Sequence, residues 1–168
     1  AAAPVAEDEV DQIEGVFGHE RDESRVDDDE DIPTENLRYV IKWKGYSHLH
    51  DTHELYEFLK RFPGFKRVTN YIKAVVQPLH DIKQNPDATR EDLEALQIQR
   101  ERQRELLASY RTVERVIAQR DSGATKEVPY PHVEYLCKWK GLSYADCSWE
   151  GDEEISRIAR PAVDAYLA

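Results

Sequence analysis

The chain of 168 residues is poor in cysteine and has no long apolar run. No stretch approaches the roughly 18 apolar residues that cross a bilayer, so we expect no membrane-spanning helix. No basic start followed by an apolar core is visible, and no secretory signal is predicted. Two cysteines without a CxxC pair argue against a disulfide framework and against a zinc finger, and indicate a reducing compartment.

Motifs for catalysis are also missing. The chain has no GxxxxGK[ST] phosphate loop and no Ser/His/Asp or Cys/His constellation. We therefore predict a chain that is not an enzyme, needs no cofactor and holds no metal.

Charge is distributed unevenly. The net charge is −11, but residues 1–36 carry fourteen acidic and two basic side chains, whereas the remaining 132 residues are close to neutral. The acidity is concentrated in ERDESRVDDDEDIPTEN (20–36), which contains no aromatic residue. Such a segment repels phosphates and attracts basic partners, such as a histone tail or a basic protein face.

The chain repeats itself at domain scale. Seven of seventeen positions are identical between RYVIKWKGYSHLHDTHE (38–54) and EYLCKWKGLSYADCSWE (134–150). Upstream, QIEGVFGHE (12–20) matches TVERVIAQR (112–120) in pattern. The offset of about 96–100 residues is too long for a solenoid unit, so we infer a duplicated small domain.

Each copy has the same order of predicted elements: a β-rich segment, a polar loop, an alternating strand, a glycine turn and a short third strand near 52–54 or 148–150. Apolar positions on one face of the alternating strand predict the core: Tyr39, Ile41 and Trp43 in the first copy, and Tyr135, Cys137 and Trp139 in the second.

Helical patterns follow each set of strands. Residues 54–62 and 68–77 are amphipathic in the first copy, with a break at Pro63 and Gly64, and residues 153–168 are amphipathic in the second. Between the copies, Thr89 and Asp92 resemble a capping box that opens a helix over residues 89–108. This helix is mostly polar, so we expect it to bridge two domains.

These motifs resemble the chromodomain. LCKWKGL (136–142) with CSWE (147–150), and VIKWKGYS (40–47) with DTHE (51–54), carry the similarity. The resemblance implies an α+β fold: two chromodomains, each a three-stranded antiparallel sheet with a C-terminal helix, joined by a helical linker. The expected boundaries are a disordered tail at 1–9, the first chromodomain at 10–78 with an acidic insertion at 20–36, the linker at 79–110 and the second chromodomain at 111–168.

The tandem arrangement, together with SHLHDTHELYEFL (47–59) and GFKRVTNYIK (64–73), is similar to the chromodomain-helicase-DNA-binding remodellers. This resemblance implies a monomeric nuclear module, lacking the ATPase motor, that binds the nucleosome and the methylated N-terminal tail of histone three.

Chromodomains resembling this chain hold methyl-lysine in an aromatic cage. In the first copy the resemblance places Trp43 and Tyr46 at two cage positions and Asp11 at the third. In the second copy Leu142 and Arg111 stand at the positions of Tyr46 and Asp11, and a cationic Arg111 repels a cationic ligand. We therefore expect binding by the first copy alone, with Trp139 packed internally or against the first copy.

Two further expectations concern histidine. His53 stands where the second copy has Trp149, a tryptophan expected to pack strand against helix, so a weaker core is predicted in the first copy. His48, His50 and His53 form HxHxxH, but the chromodomain pattern accounts for their neighbours, and we do not predict a metal site.

An alternative function is a regulatory gate whose acidic surface rests on the Snf2-type ATPase motor of the full-length protein, without methyl-lysine binding. The acidic side chains that would make this contact lie in the insertion and at the start of the linker helix: Asp27, Asp28, Asp29, Glu30, Asp31, Glu91, Asp92 and Glu94.

Overall fold

The computed structural model describes residues 10–22 and 36–168. Within these ranges the fold is α+β, with two three-stranded antiparallel sheets of order β1-β2-β3 and β4-β5-β6. The first sheet comprises β1 (Ile13–Arg21), β2 (Leu37–Trp43) and β3 (Thr52–Leu55); the second comprises β4 (Val113–Ser122), β5 (His132–Trp139) and β6 (Ser148–Gly151).

Six helices accompany the strands in the described part of the chain: α1 (Tyr56–Leu59), α2 (Lys66–Tyr71), α3 (Gln77–Gln84), α4 (Arg90–Tyr110), α5 (Asp152–Ile158) and α6 (Arg160–Leu167). Short 3₁₀ turns precede β3 and β6, at His48–His50 and Tyr144–Asp146. The chain divides into two compact units, with the boundary between Glu105 and Leu106.

The strands of the two sheets are paired in the same register within each sheet. Ile13 of β1 pairs with Trp43 of β2, and Val113 of β4 pairs with Trp139 of β5. An irregularity follows immediately in both first strands, between Ile13 and Gly15 and between Val113 and Arg115. The repeated tetrapeptide KWKG therefore begins at the end of the middle strand in both units.

The core of the first unit is built on the predicted face of β2. Tyr39 and Ile41 are fully buried and Trp43 retains 9% of its surface, as the alternation predicts. They join other buried apolar side chains in one cluster: Ile13, Leu59, Val68 and Val76.

The core of the second unit follows the same plan. Tyr135, Cys137 and Trp139 are buried, and the Tyr135 ring makes an edge contact with Tyr166 of α6 at 6.2 Å. Trp149 pairs directly with Leu136 and so lies on the opposite sheet face from Tyr135, because directly paired residues share a face.

The expectation that Trp149 packs strand against helix is therefore wrong. Arg120 of β4 instead stacks its guanidinium over the Trp149 ring at 4.3 Å. His53 occupies the matching position in the first unit, opposite Val40, and lies 3.5 Å from Glu20. The substitution thus changes a half-exposed sheet surface, and the helix-facing core is made by other residues.

A tight turn separates α1 from α2, where Pro63 and Gly64 predict a break. Gly64 has φ +86°, and a methyl group added there would overlap the carbonyl oxygen of Ile13. The Ile13 N–H donates to the Pro63 carbonyl at 2.9 Å. Glycine is required because the turn touches the start of β1 with a backbone that other residues rarely adopt.

Prolines explain two departures from the predicted helices. Between α2 and α3 the helix widens to a π turn at Ile72–Val76, ahead of Pro78, whose ring would clash with the carbonyl four residues earlier. In the second unit the predicted helix 153–168 is interrupted at Ala159, and the next helix begins at Arg160 with Pro161 in its first turn. Proline is tolerated there because it lacks a backbone N–H, and the N–H groups of the first helical turn have no partner within the helix.

The long helix α4 begins with the predicted capping box. The Thr89 N–H donates to the Asp92 carboxylate and the Asp92 N–H donates to Thr89 Oγ1, both at 3.1 Å. Farther along, Arg100 donates to the carbonyl of His19 at 3.2 Å, which fixes α4 to β1. His19 shares a 2.7 Å hydrogen bond with the Tyr71 hydroxyl. Burial, reinforced by the nearby charge of Arg100, lowers the pKa of His19 to about 4.

Candidate functional site

The KWKG segment ends β2 in a tight turn. The Tyr46 N–H donates to the Trp43 carbonyl at 3.2 Å, and Gly45 between them has φ +87°. These features define a type II turn with lysine and glycine at its centre, which brings the Cα atoms of Trp43 and Tyr46 within about 7 Å. The spacing of the two candidate aromatics is therefore set by the backbone.

Trp43 is held firmly. Its indole N–H donates to Thr52 Oγ1 of β3 at 2.7 Å, and its ring meets Phe62 at 5.0 Å between centroids with 69° between planes. With 9% of its surface accessible, Trp43 belongs to the core and presents only a limited part of its ring to solvent. Its orientation is fixed before any ligand arrives.

Tyr46 is the accessible member of the pair. It is 39% exposed, and its ring makes an edge contact with His50 at 5.9 Å. A methyl group added to Gly45 would meet no atom of residues 10–22 and 36–168 within 4 Å, apart from its own chain neighbours. The turn that carries Tyr46 is therefore open on the side where the glycine lacks a side chain.

Asp11 lies at the same end of the sheet. It is exposed and stands two residues before Ile13, the partner of Trp43. The backbone continues this pairing, because the Lys44 N–H donates to the Gln12 carbonyl at 2.9 Å. The structure thus places the backbone of all three predicted site residues at one end of the first sheet.

The second unit has the same turn in a closed form. The Leu142 N–H donates to the Trp139 carbonyl at 3.3 Å, and Gly141 has φ +83°. A methyl group added to Gly141 would lie 3.3 Å from the ring of Tyr110. Tyr110 thus covers the turn of the second unit, whereas the corresponding turn of the first unit is open.

Trp139 is correspondingly enclosed. It is 1% exposed, and its indole N–H donates to Ser148 Oγ at 2.7 Å. The Lys140 N–H donates to the Thr112 carbonyl, so the preceding residue, Arg111, has the same backbone position as Asp11. Tyr110 is one residue out of register with the expected cage position, and the sequence did not predict its contact with the turn.

The first lysine of each KWKG segment has a structural role. Lys42 pairs with Glu14, and Lys138 pairs with Glu114, in each case across the two leading strands. Both ammonium groups also donate to the carbonyl of the following tryptophan, at 3.0 and 3.2 Å. The hydrogen bond from Lys138 lowers the pKa of Glu114.

The three histidines of HxHxxH have separate partners. His48 is buried, lies 2.8 Å from Asp51 and makes an edge contact with Phe17, whereas His50 meets Tyr46 and His53 lies near Glu20. Across residues 10–22 and 36–168, no three His, Cys, Asp or Glu side chains are grouped so as to hold a metal ion.

The proposed gating acids fall in two places. Those of the insertion lie outside the described residues: Asp27, Asp28, Asp29, Glu30 and Asp31. The other three open α4, where Asp92 completes the capping box and Glu94 pairs with Arg90 at 3.1 Å. Glu91 is exposed beside them.

No helix in the described ranges combines the length and the apolar character needed to cross a membrane.

Comparison with known proteins gives the class of the second unit first. Residues 111–168 match the family model of the Chromo (CHRromatin Organisation MOdifier) domain. The second unit is therefore a chromodomain.

Longer matches reach chromatin remodellers. The chain is 39% identical over 134 residues to Protein CHROMATIN REMODELING 5 of Arabidopsis thaliana, and 38% identical over 134 residues to Chromodomain-helicase-DNA-binding protein 1 of Homo sapiens; each match covers 79% of this chain. The CHD3-type chromatin-remodeling factor PICKLE of Arabidopsis thaliana is 28% identical over 119 residues, or 71% of this chain. The chain belongs to the chromodomain-helicase-DNA-binding family, and it spans 7% of the length of each of these relatives.

Proposed function

We propose that this chain is a non-catalytic chromatin-targeting module that binds the methyl-lysine-bearing N-terminal tail of histone three through Trp43 and Tyr46. The observation that carries the proposal is the contrast between the two KWKG turns. The first is open at Gly45 and presents an exposed Tyr46, whereas Tyr110 covers the second at Gly141.

The first unit would be a chromodomain as well. The family model matches only residues 111–168, but more than half of the 134-residue matches must lie before residue 111. The shared strand order and the shared register at Trp43 and Trp139 support the same assignment. The arrangement would then be a tandem pair.

The chemistry of a methylated lysine suits this site. Trimethylation keeps the positive charge and removes every N–H donor, so recognition depends on shape and on cation–π attraction. An aromatic ring contributes about 0.5–2 kcal/mol to such binding. Because Trp43 is mostly covered, we expect a total of about 1–2 kcal/mol, equivalent to about 5- to 30-fold in affinity. Asp11 would add a favourable charge.

Peptide binding tests the proposal. Fluorescence anisotropy would compare histone-three tail peptides that differ only in trimethylation of one lysine. Tyr46→Leu, which gives the first unit the residue of the second, should abolish most of the preference, and Leu142→Tyr is the matched control that should leave it unchanged. Equal binding of the two peptides by the unaltered chain would refute the proposal.

Gating is a second candidate, favoured by the exposed acidic start of α4. In a longer polypeptide containing the ATPase motor, Glu91 would contact the motor's basic surface; Asp92 and Glu94 contribute less because they already stabilise α4. Glu91→Gln should then raise ATP hydrolysis in the absence of DNA, and an unchanged rate would argue against gating. For either function, we expect the chain to act as a monomer at the nucleosome, in the nucleus.

A further inference from the structure

Three corresponding positions of the two units, each offset by 96 residues, can be compared. The first unit has Trp43, Tyr46 and Phe62, and the second has Trp139, Leu142 and Ile158. Both tryptophans are retained, whereas the other two aromatics occur only in the first unit. The unit whose turn is open is therefore also the one that places an aromatic ring at position 62.

Phe62 is fixed against the end of the sheet where the candidate site lies. Its ring meets Trp43 at 5.0 Å with the planes 69° apart, so the two rings stand at a steep angle to each other. The next residue, Pro63, accepts a hydrogen bond from Ile13, the strand partner of Trp43. The close approach of Gly64 to Ile13 holds the turn in that position.

An aromatic surface continues outward from Phe62. Its ring lies 5.1 Å from that of Phe58, which is 36% exposed. The guanidinium of Arg61 stands 5.0 Å over the Phe58 ring. The Phe58 ring, next to Phe62, thus already holds one cation by cation–π attraction. In the second unit, Ile158 is 41% exposed and has no aromatic face.

We propose that Phe62 is the third aromatic contact of the methyl-ammonium site, supplied by the turn after α1 in place of the first-strand aromatic that Asp11 replaces. The inference rests on the proposed function. Phe62 contributes a ring set steeply against Trp43, and Tyr46 approaches from the KWKG turn. Recognition of the cation would then draw on three separate segments of the first unit.

The test isolates the cation–π contribution. Two tail peptides would carry either trimethyllysine or its neutral analogue, in which a tert-butyl group replaces the trimethylammonium at nearly the same shape. The measured quantity is the dissociation constant of the neutral peptide divided by that of the trimethyllysine peptide. Phe62→Leu should lower this ratio about two- to fivefold. Phe62→Tyr should retain it, and Phe58→Leu is the matched control that should also retain it.

The outcomes separate the two proposals. If the unaltered chain does not distinguish the peptides, the methyl-lysine proposal itself fails. If the unaltered chain does distinguish the peptides, three results would show that the role assigned to Phe62 is wrong. These are an unchanged ratio in Phe62→Leu, a lost ratio in Phe62→Tyr, or an equal decrease in Phe58→Leu. Circular dichroism of each variant would verify folding, and the Phe62→Tyr result decides the matter should Phe62→Leu unfold.

Discussion

Replacing Gly64 with alanine tests how the turn after α1 is held against β1. Gly64 has φ +86°, a conformation that costs a residue with a side chain about 1–2 kcal/mol. The added methyl group would overlap the carbonyl oxygen of Ile13 and lie 3.2 Å from its Cβ, so the turn must move away.

The displacement should cost more than backbone strain. It would weaken the hydrogen bond from Ile13 to Pro63, worth about 0.5–1.5 kcal/mol, and the edge contact between Phe62 and Trp43, worth about 0.5–1.5 kcal/mol. We therefore expect Gly64→Ala to lower the free energy of unfolding of the first unit by about 2–4 kcal/mol in all.

Gly45→Ala is the matched control, because Gly45 has φ +87° but, in the described part of the chain, no atom beyond its chain neighbours lies within 4 Å of the added methyl group. It should cost only the backbone term, about 1–2 kcal/mol. Chemical denaturation would give both free energies, and hydrogen exchange at the Ile13 amide would assign the change to the first unit. If the two variants lose the same stability within about 0.5 kcal/mol, the close packing at Gly64 does not contribute as argued.

Three other changes have defined outcomes. Thr52→Val removes the acceptor of the Trp43 indole N–H and should cost about 1–3 kcal/mol in chemical denaturation, whereas Thr52→Ser should cost less than half of that. The pKa of His19 is about 4 in the folded chain and 6.5 in the unfolded chain, so between these values the unfolded chain binds the extra proton and stability should fall as pH drops from 6.5 to 4. After a discount for partial exposure, the unaltered chain should lose about 2 kcal/mol more free energy of unfolding over this range than His19→Gln. Denaturation series at several pH values would measure the difference. Burial raises the pKa of the Cys137 thiol to about 12 and also raises that of Cys147, so at pH 7 a maleimide should label the partly exposed Cys147 slowly and Cys137 only after unfolding, as mass spectrometry would show.

Local patterns predicted most of the fold. Period-two alternation identified the buried face at Tyr39, Ile41 and Trp43, since successive side chains of a strand point to opposite faces. Thr89 and Asp92 located the start of α4 because a capping box involves residues only three positions apart. The KWKG repeat also fixed the turn and hence the spacing between Trp43 and Tyr46.

Contacts between distant segments were not predictable in this way. The sequence placed Trp43 at a cage position but could not show that Phe62 and Thr52 cover and orient its ring. It likewise could not show Tyr110 against Gly141. The error at Trp149 has a similar origin, because the face that a short strand turns toward a helix depends on register, and a shift of one residue exchanges the faces.

The hydrogen bond from the Trp43 indole to Thr52 has a spectroscopic consequence. Trp43 is the single tryptophan of the first unit, and the second unit has Trp139 and Trp149. Replacing those two with phenylalanine would leave one emitter, enclosed and hydrogen-bonded, beside the candidate site. Its emission should be blue-shifted and weakly quenched by iodide, and any peptide that reaches the indole should change the signal without an attached dye.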